Sequence, residues 1–258
     1  MKTNSIYLFA TILLIWVTTA CSSNRVTGSN NYITKHIKVE KFNGLQLSGS
    51  PDVIYKQTKG KPSVEVYGQD NIVELLDIYV QDNNLVVKFK SNTNIQNRGK
   101  LEIRVSGPAL NRISLSGSGD IKLANGIQTD GNLNVKINGS GDITGNKISC
   151  KLLSLSINGS GDMTLSKIDV QKAEASINGS GDISLTGTCK DAEYSVYGSG
   201  DIQASGLKAA YVTTSVKGSG DISCYATTSL QGRVYGSGEV AYKGDPQIDF
   251  SKKGLRKL

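Results

Sequence analysis

The sequence of 258 residues predicts an all-β solenoid built from coils of about 20 residues. The first observation is the motif Gly-Ser-Gly-Asp-Ile, which begins at Gly117 and returns six times with small changes. A repeat of nearly constant length is typical of solenoids, in which each repeat forms one turn of a stack. The intervals between the acidic residues are 22, 20, 20, 19, 20 and 18 residues, and these residues are Asp120, Asp142, Asp162, Asp182, Asp201, Asp221 and Glu239.

Apolar residues at fixed distances from each acidic residue are the second observation. The residue directly after the acid is apolar in every repeat, and the next one is polar in all repeats but the last. Such alternation indicates a strand with one buried face and does not fit a helix. With a third apolar point further on, each repeat is predicted to form three short strands separated by turns. The apolar position five residues before the acid holds Leu115, Ile137, Ile157, Ile177, Val196, Val216 and Val234.

These positions predict how the core forms. One coil cannot bury its own apolar face, whereas coils stacked about 4.8 Å apart bury a continuous core. We therefore expect Ile137, Ile157 and Ile177 to lie directly above one another.

The Gly-Ser-Gly-Asp segment is predicted to turn the chain between strands. Glycine adopts positive φ without steric cost, and Asp and Ser bond to nearby backbone groups in turns. The acidic residues therefore have a structural interpretation. The alternative is a cation site, because carboxylates about 4.8 Å apart repel by roughly 1 kcal/mol and Ca²⁺ binds such oxygens. No other cofactor is expected.

Residues 1–20 are predicted to be a signal peptide. Lys2 precedes an apolar run, Ile6 to Val17, that is too short for a comfortable transmembrane helix. The ending Val-Thr-Thr-Ala-Cys resembles a bacterial lipobox, although Thr18 stands where leucine is usual. Cys21 is therefore predicted to carry a lipid anchor that ties the protein to the membrane. Ordinary secretion with an unmodified cysteine is the alternative.

Residues 21–35 are polar and are predicted to form a flexible tether. Ser22, with no acidic residue nearby, is compatible with an outer-membrane lipoprotein of the bacterial cell envelope. The acidic cluster that some bacteria use for surface display is missing, which favours the periplasmic face over the cell surface.

Residues 36–258 are predicted to form a single solenoid domain, with regular coils between residues 105 and 243. Ser48 to Asp52 is a degenerate copy of the motif, so the solenoid, or a sheet continuous with it, is expected to begin near His36. One helical turn is predicted at residues 71–76 and a polar loop at 91–100. Residues 248–258 are predicted to form a worn final coil or cap, which solenoid ends require.

The formal charge of +7 is spread along the chain, and only the C-terminal tail, with Lys252, Lys253, Arg256 and Lys257, looks clustered. Scattered lysines and arginines give little support to nucleic-acid binding, so no nucleic-acid partner is expected. No feature of the sequence fixes an oligomeric state.

The sequence offers little material for catalysis. His36 is the one histidine, so a Ser-His-Asp triad or a His-rich metal site lacks its residues. Cys150 and Cys189 are predicted to lie two coils apart, about 10 Å and beyond disulfide reach, and no CxxC pair is present. We expect a protein that is not an enzyme. A polysaccharide-degrading lyase or hydrolase is the alternative, because β-helices host such enzymes, although near-identical acids do not suit glycoside hydrolysis.

The outward position four residues before each acid is the best candidate for binding. Asparagines in register form amide ladders, which are structural. The change to tyrosine and lysine predicts an exposed surface that meets sugar rings or a protein partner, although tyrosine is also a common strand residue. After Ser116, the predicted binding residues are Asn138, Asn158, Asn178, Tyr197, Lys217 and Tyr235.

The lipobox-like start, the segment Val53-Ile54-Tyr55, the Pro108-Ala-Leu segment and the serial Ser-Gly-Ser-Gly-Asp-Ile motif together resemble the head GIN domain family of auto-transporter adhesins. The resemblance covers about residues 36–258. It implies a right-handed parallel β-helix in a cell-envelope protein, and its adhesin label implies a binding role.

Overall fold

The computed structural model describes residues 24–97, 99–251 and 253–258. The predicted signal peptide, residues 1–20, and the predicted lipidation site, Cys21, lie outside the described residues. The described chain is a β-solenoid of about seven turns, with stacked parallel coils of about 20 residues. The predicted fold class is therefore confirmed.

The regular coils are formed by strands that pair in parallel with the equivalent strands of the coils before and after. Their bounds are β10 Arg112–Gly117, β11 Ile121–Leu123, β12 Ile127–Gln128, β13 Leu133–Gly139, β14 Ile143–Gly159, β15 Met163–Gly179, β16 Ile183–Gly198, β17 Ile202–Gly218, β18 Ile222–Gly236 and β19 Val240–Lys243. The last coil consists of β20 Gln247–Phe250, which pairs with β18, and β21 Leu255–Lys257, which pairs with β19. This confirms the predicted worn final coil.

The core follows the predicted apolar positions. Ile137 pairs with Ile157, and Ile157 pairs with Ile177, and all three are fully buried. Side chains of one position therefore stack along the axis of the solenoid. Val234, in the last motif-bearing coil, is only partly buried because few residues lie beyond it.

The middle coils differ from the prediction of three short strands. Each of β14 to β18 is one continuous strand of 15 to 17 residues that bends. Lys147, Lys167 and Gly187 have positive φ at the bend of successive coils. The bends of β14 and β15 lie in register, and the ladder between these strands resumes beyond them. Between β15 and β16 the register shifts by one residue at the bend, after which the pairing continues.

The N-terminal region is less regular. Its elements are β1 Asn24–Thr27, β2 Tyr32–Ile37, β3 Gly44–Gly49, β4 Val53–Gln57, β5 Ser63–Gln69, α1 Asp70–Val73, β6 Leu76–Gln81, β7 Asn84–Phe89, β8 Thr93–Asn97 and β9 Glu102–Gly107. In β3, Leu47 pairs with Leu115 and Gly49 with Gly117, which confirms that Ser48 to Asp52 is a copy of the motif.

The order of the coils along the stack differs from the order of the chain. Strand β3 lies between β7 and β10, and β4 lies between β9 and β11. The chain therefore first forms the coil of β3 and β4 and then the coil of β7 and β9 on one side of it. It then continues with β10 and β11 on the other side of the first coil. Antiparallel pairs, β2 with β5 and β6 with β7, cover this end of the stack.

Two predictions for the N-terminal region need correction. Residues 21–35 were expected to form a flexible tether, but they include β1 and most of β2. The reason is that Val26 and Ile33 pack against the core, and that Ser29 and Asn31 bond to Asp70. The predicted polar loop at 91–100 likewise contains β8, which pairs in parallel with β1.

Candidate binding surfaces

The acidic residues form a hydrogen-bonded ladder along the solenoid. In each step, a side-chain oxygen of one acid accepts a bond from the backbone N–H of the equivalent acid in the next coil. The seven bonds, at 2.8 to 3.0 Å, run through Asp52, Asp120, Asp142, Asp162, Asp182, Asp201, Asp221 and Glu239. The ladder ends at Arg256, which donates to Glu239 at 2.8 Å. Every acid of the motif therefore has a structural role.

The two glycines of the motif meet different requirements. Gly179 has a φ of 146°, and its carbonyl accepts bonds from the N–H groups of Ser199 and Gly200 in the next coil. A Cβ at Gly179 would overlap the carbonyl oxygen of Gly159. A Cβ at Gly181, where φ is ordinary, would overlap the carbonyl of Gly161. The motif is thus the sequence that lets successive turns lie in backbone contact.

The acidic ladder does not gather into a metal-binding cluster. Within the described ranges, no group of three or more His, Cys, Asp or Glu residues is arranged to hold a metal ion. His36 lies in β2, mostly exposed, with its Nδ1 3.8 Å from a carboxylate oxygen of Glu65.

The predicted outward row lies in register on the face that ends at the Gly-Ser-Gly-Asp turn. Asn138, Asn158, Asn178, Tyr197, Lys217 and Tyr235 pair successively from β13 to β18. The Asn158 amide donates to the Asn138 side-chain oxygen at 3.1 Å. Among the described residues, no such bond continues the row to Asn178. The predicted amide ladder is therefore one step long.

The C-terminal part of the row is a stack of alternating aromatic and cationic groups, which we call the Tyr-Lys-Tyr stack. The ammonium group of Lys217 lies 5.1 Å from the ring centroid of Tyr197 and 6.0 Å from that of Tyr235. These distances are in the range of cation–π attraction. Tyr197 is 44% exposed and Tyr235 is 56% exposed. Lys217 thus lies between two exposed tyrosine rings, one in the coil before it and one in the coil after it, on the same face of the solenoid.

A second cluster of one tyrosine and two lysines was not predicted from the sequence. Lys208 and Lys243 lie 5.9 and 5.2 Å from the ring centroid of Tyr225. The strand register brings them together, because Tyr225 pairs with Lys208 on one side and Lys243 on the other. The pairing of β17 with β18 shifts register between Ala204 and Lys208. The spacing between Lys208 and Tyr225 in the sequence therefore differs from the repeat length, and the repeat did not indicate the cluster.

Burial raises the pKa of the cysteines and of one tyrosine in and beside the core. Burial raises the pKa of Cys150 to about 11 and that of Cys224 to about 12. Cys189 lies two coils from Cys150, through Val170, as predicted, and its pKa is raised to about 12. These thiols stay protonated at neutral pH. Tyr194 is 1% exposed and its hydroxyl has no hydrogen-bond partner among the described residues, and burial raises its pKa as well.

A large concavity at the N-terminal corner of the solenoid was not predicted. It is a groove of about 1500 Å³ between the β2–β3 loop, the β4–β5 loop and the β9–β10 connection. We call it the basic groove, and define it by Lys38, Lys41, Lys59 and Lys61 around Val39, Phe42, Pro62 and Pro108. Two lysines in each of two separate loops gave no indication of a site in the sequence, because the fold brings these loops together.

The family of the chain follows from comparison of these features with known proteins. The family model described as "putative auto-transporter adhesin, head GIN domain" matches residues 41–246, which span the degenerate motif, the seven regular motifs and the Tyr-Lys-Tyr stack. The chain belongs to this family. A comparison with curated proteins gave no match.

Solved structures similar to this head GIN protein come from Parabacteroides and Bacteroides species. A "putative lipid binding protein" from Parabacteroides distasonis is 28% identical, with a TM-score of 0.85 over 91% of this chain and 99% of that one. A "putative adhesin" from Parabacteroides merdae is 26% identical, with a TM-score of 0.84 over 91% and 99%. A "putative adhesin" from Bacteroides fragilis is 33% identical, with a TM-score of 0.69 over 90% and 100%.

The adhesin description of the family indicates association with the cell envelope. In the part of the chain that the structure describes, no helix has the length and apolar character needed to cross a membrane.

Proposed function

We propose that this head GIN protein is a non-catalytic binding module, anchored to the outer membrane through a lipid on Cys21, that presents the Tyr-Lys-Tyr stack to a glycan. The observation that carries the proposal is the in-register placement of Tyr197, Lys217 and Tyr235 on one exposed strand face. The adhesin description of the family and of two relatives supports a binding role.

The chemistry of the stack suits a sugar. An exposed aromatic ring packs against the C–H face of a sugar ring, while its hydroxyl stays available for hydrogen bonding. Lys217 restrains both rings, which lowers the entropy cost of binding. Ser195, Ser215 and Arg233 lie two residues before the three members of the stack, on the same outward side, and offer hydrogen-bond donors beside the rings.

Replacing Tyr197 and Tyr235 together with alanine is expected to weaken glycan binding at least about ten-fold, because both stacking surfaces are lost. Replacing both with phenylalanine keeps the rings and should retain most of the affinity. A glycan array with the purified protein identifies the ligand, and titration of that ligand measures the change.

The chain offers a matched control at the opposite end of the solenoid. Tyr79 is 38% exposed and has Lys88 5.6 Å from its ring centroid, as in the stack. Tyr79→Ala should leave glycan binding unchanged. Equal loss from Tyr79→Ala and from the double variant, or no loss from either, would contradict the proposed site.

The proposal that the protein is not an enzyme is supported by the uniform use of its acids. Each ladder carboxylate from Asp52 to Asp221 accepts the next coil's backbone N–H, and the last acid, Glu239, is ion-paired with Arg256. Such repeated use is what a structural role requires, whereas glycoside hydrolysis needs two carboxylates in different environments. The alternative, a polysaccharide-degrading enzyme, predicts that the protein cleaves a glycan. Release of reducing or unsaturated ends from a panel of envelope and plant glycans would establish it.

Lipid binding is a second candidate function, and the basic groove is the observation that favours it. A relative at 28% identity is described as a "putative lipid binding protein". In this chain the groove provides a concave site with apolar groups and cationic groups side by side, which the flat Tyr-Lys-Tyr stack does not.

A further inference from the structure

The floor and walls of the basic groove are held in place by contacts with the core. Phe42, 3% exposed, lies under the groove, and the backbone of Gly107 packs against its ring. The Tyr55 hydroxyl donates to the carbonyl of Pro108. The backbone N–H of Thr58 donates to Gly107 at 2.6 Å, which fixes the start of the β4–β5 loop. The groove is therefore preformed.

Its rim carries cationic groups without partners. Four lysines and one glutamate, Glu40, line the groove, so its formal net charge is +3. None of these five side chains takes part in an ion pair within the described residues. Unpaired charges of one sign in a concave site attract a ligand of opposite charge.

Two other polar residues of the lining, Gln57 and Asn43, have hydrogen-bond partners outside the groove. The side chain of Gln57 donates to the Gln128 carbonyl at 2.9 Å and accepts from the Gln128 N–H at 2.8 Å. The backbone of Asn43 bonds to Asn83 and Asn111. Pro62 and Pro108 have no N–H. An anionic head on an apolar chain matches both the cationic and the apolar parts of the lining.

We propose that the basic groove binds a single-chain anionic amphiphile, with its head among Lys38, Lys41, Lys59 and Lys61 and its chain along Val39, Pro62 and Pro108. This inference rests on the second candidate function and names its ligand class and site. The volume of about 1500 Å³ exceeds that of an ordinary small-molecule pocket, which leaves room for an extended chain.

Gly60 allows the charge of the groove to be changed without disturbing the fold. It lies between Lys59 and Lys61, a Cβ built there meets no atom within 4 Å, and its backbone is outside the left-handed region. Gly60→Asp should weaken binding of dodecanoate about five-fold, and Gly60→Lys should strengthen it by a similar factor. Gly60→Ser should have no effect. Val39→Ser should weaken binding about three-fold by removing apolar contact.

The experiment is calorimetric titration of the purified protein, in a Cys21→Ser background, with dodecanoate, uncharged dodecyl maltoside and acetate. We expect measurable affinity for dodecanoate and at least ten-fold weaker binding of the other two. Thr228, exposed in β18, is the control position, and Thr228→Asp and Thr228→Lys should change nothing. Equal binding of acetate, equal effects at residues 60 and 228, or binding only to phosphatidylglycerol vesicles would overturn the proposal.

The same variants separate this inference from the glycan site. Tyr197→Ala with Tyr235→Ala should leave dodecanoate binding unchanged, and Gly60→Asp should leave glycan binding unchanged. Failure of either site is therefore visible while the other is intact.

Discussion

Replacing Gly179 with alanine is expected to destabilise the protein by about 3–5 kcal/mol, a large part of the stability of an ordinary domain. Gly179 has a φ of 146°, which side chains rarely adopt, and the new Cβ would collide with the carbonyl oxygen of Gly159. Relieving the collision separates two coils and breaks the bonds that the Gly159 and Gly179 carbonyls accept. Chemical denaturation measures the change.

Gly131→Ala is the control for this prediction. Gly131 is exposed, is outside the left-handed region, and a Cβ there meets only the Thr129 hydroxyl at 3.7 Å. We expect a change of less than about 0.5 kcal/mol. Similar losses at Gly131 and Gly179 would mean that the backbone contact between turns is not what the glycine column provides.

The double replacement Asp142→Ala with Asp162→Ala is expected to cost about 2 kcal/mol. It removes the acceptors of the Asp162 and Asp182 backbone N–H groups, which are bonded at 2.9 and 2.8 Å. Loss of a comparable side-chain cap costs about 1 kcal/mol. Replacing both acids with asparagine keeps an oxygen acceptor and should cost much less.

The asparagine variant also distinguishes the structural role from cation binding, because it removes charge without removing the acceptor. The structural account predicts equal melting temperatures of the unmodified protein in Ca²⁺ and in EDTA. A rise with Ca²⁺ that the asparagine variant loses would instead make the ladder a cation site.

The repeated part of the fold could be predicted because its information is local. The acids, glycines and apolar positions recur every 20 residues or so, and equivalent residues such as Ile137 and Ile157 pair as the repeat requires. Even the degenerate copy at Asp52 was recognisable, because Leu47 keeps its distance from the acid. The Tyr-Lys-Tyr stack was accessible for the same reason.

The N-terminal region could not be predicted because its pairing depends on partners far along the chain. Val26 pairs with Ile95, and Lys35 pairs with Val66. These partners are not evident from the sequence, and the polar composition of residues 21–35 and 91–100 therefore indicated a tether and a loop. The basic groove depends on the same topology. Lys38 and Lys61 line one groove because the β2–β3 loop, the β4–β5 loop and the β9–β10 connection meet at one corner of the solenoid.

The central claim is that successive repeats lie one above another at the spacing of neighbouring strands. Lys122, Thr144, Thr164, Ser184, Gln203 and Ser223 occupy one outward position and pair in sequence. Spin labels on Lys122 paired with Ser184, Gln203 or Ser223, in a protein with its three described cysteines replaced by alanine, measure that spacing by electron paramagnetic resonance. We predict backbone separations of about 14, 19 and 24 Å, rising by about 4.8 Å per repeat. Distances that do not rise in equal steps would contradict the stacked solenoid.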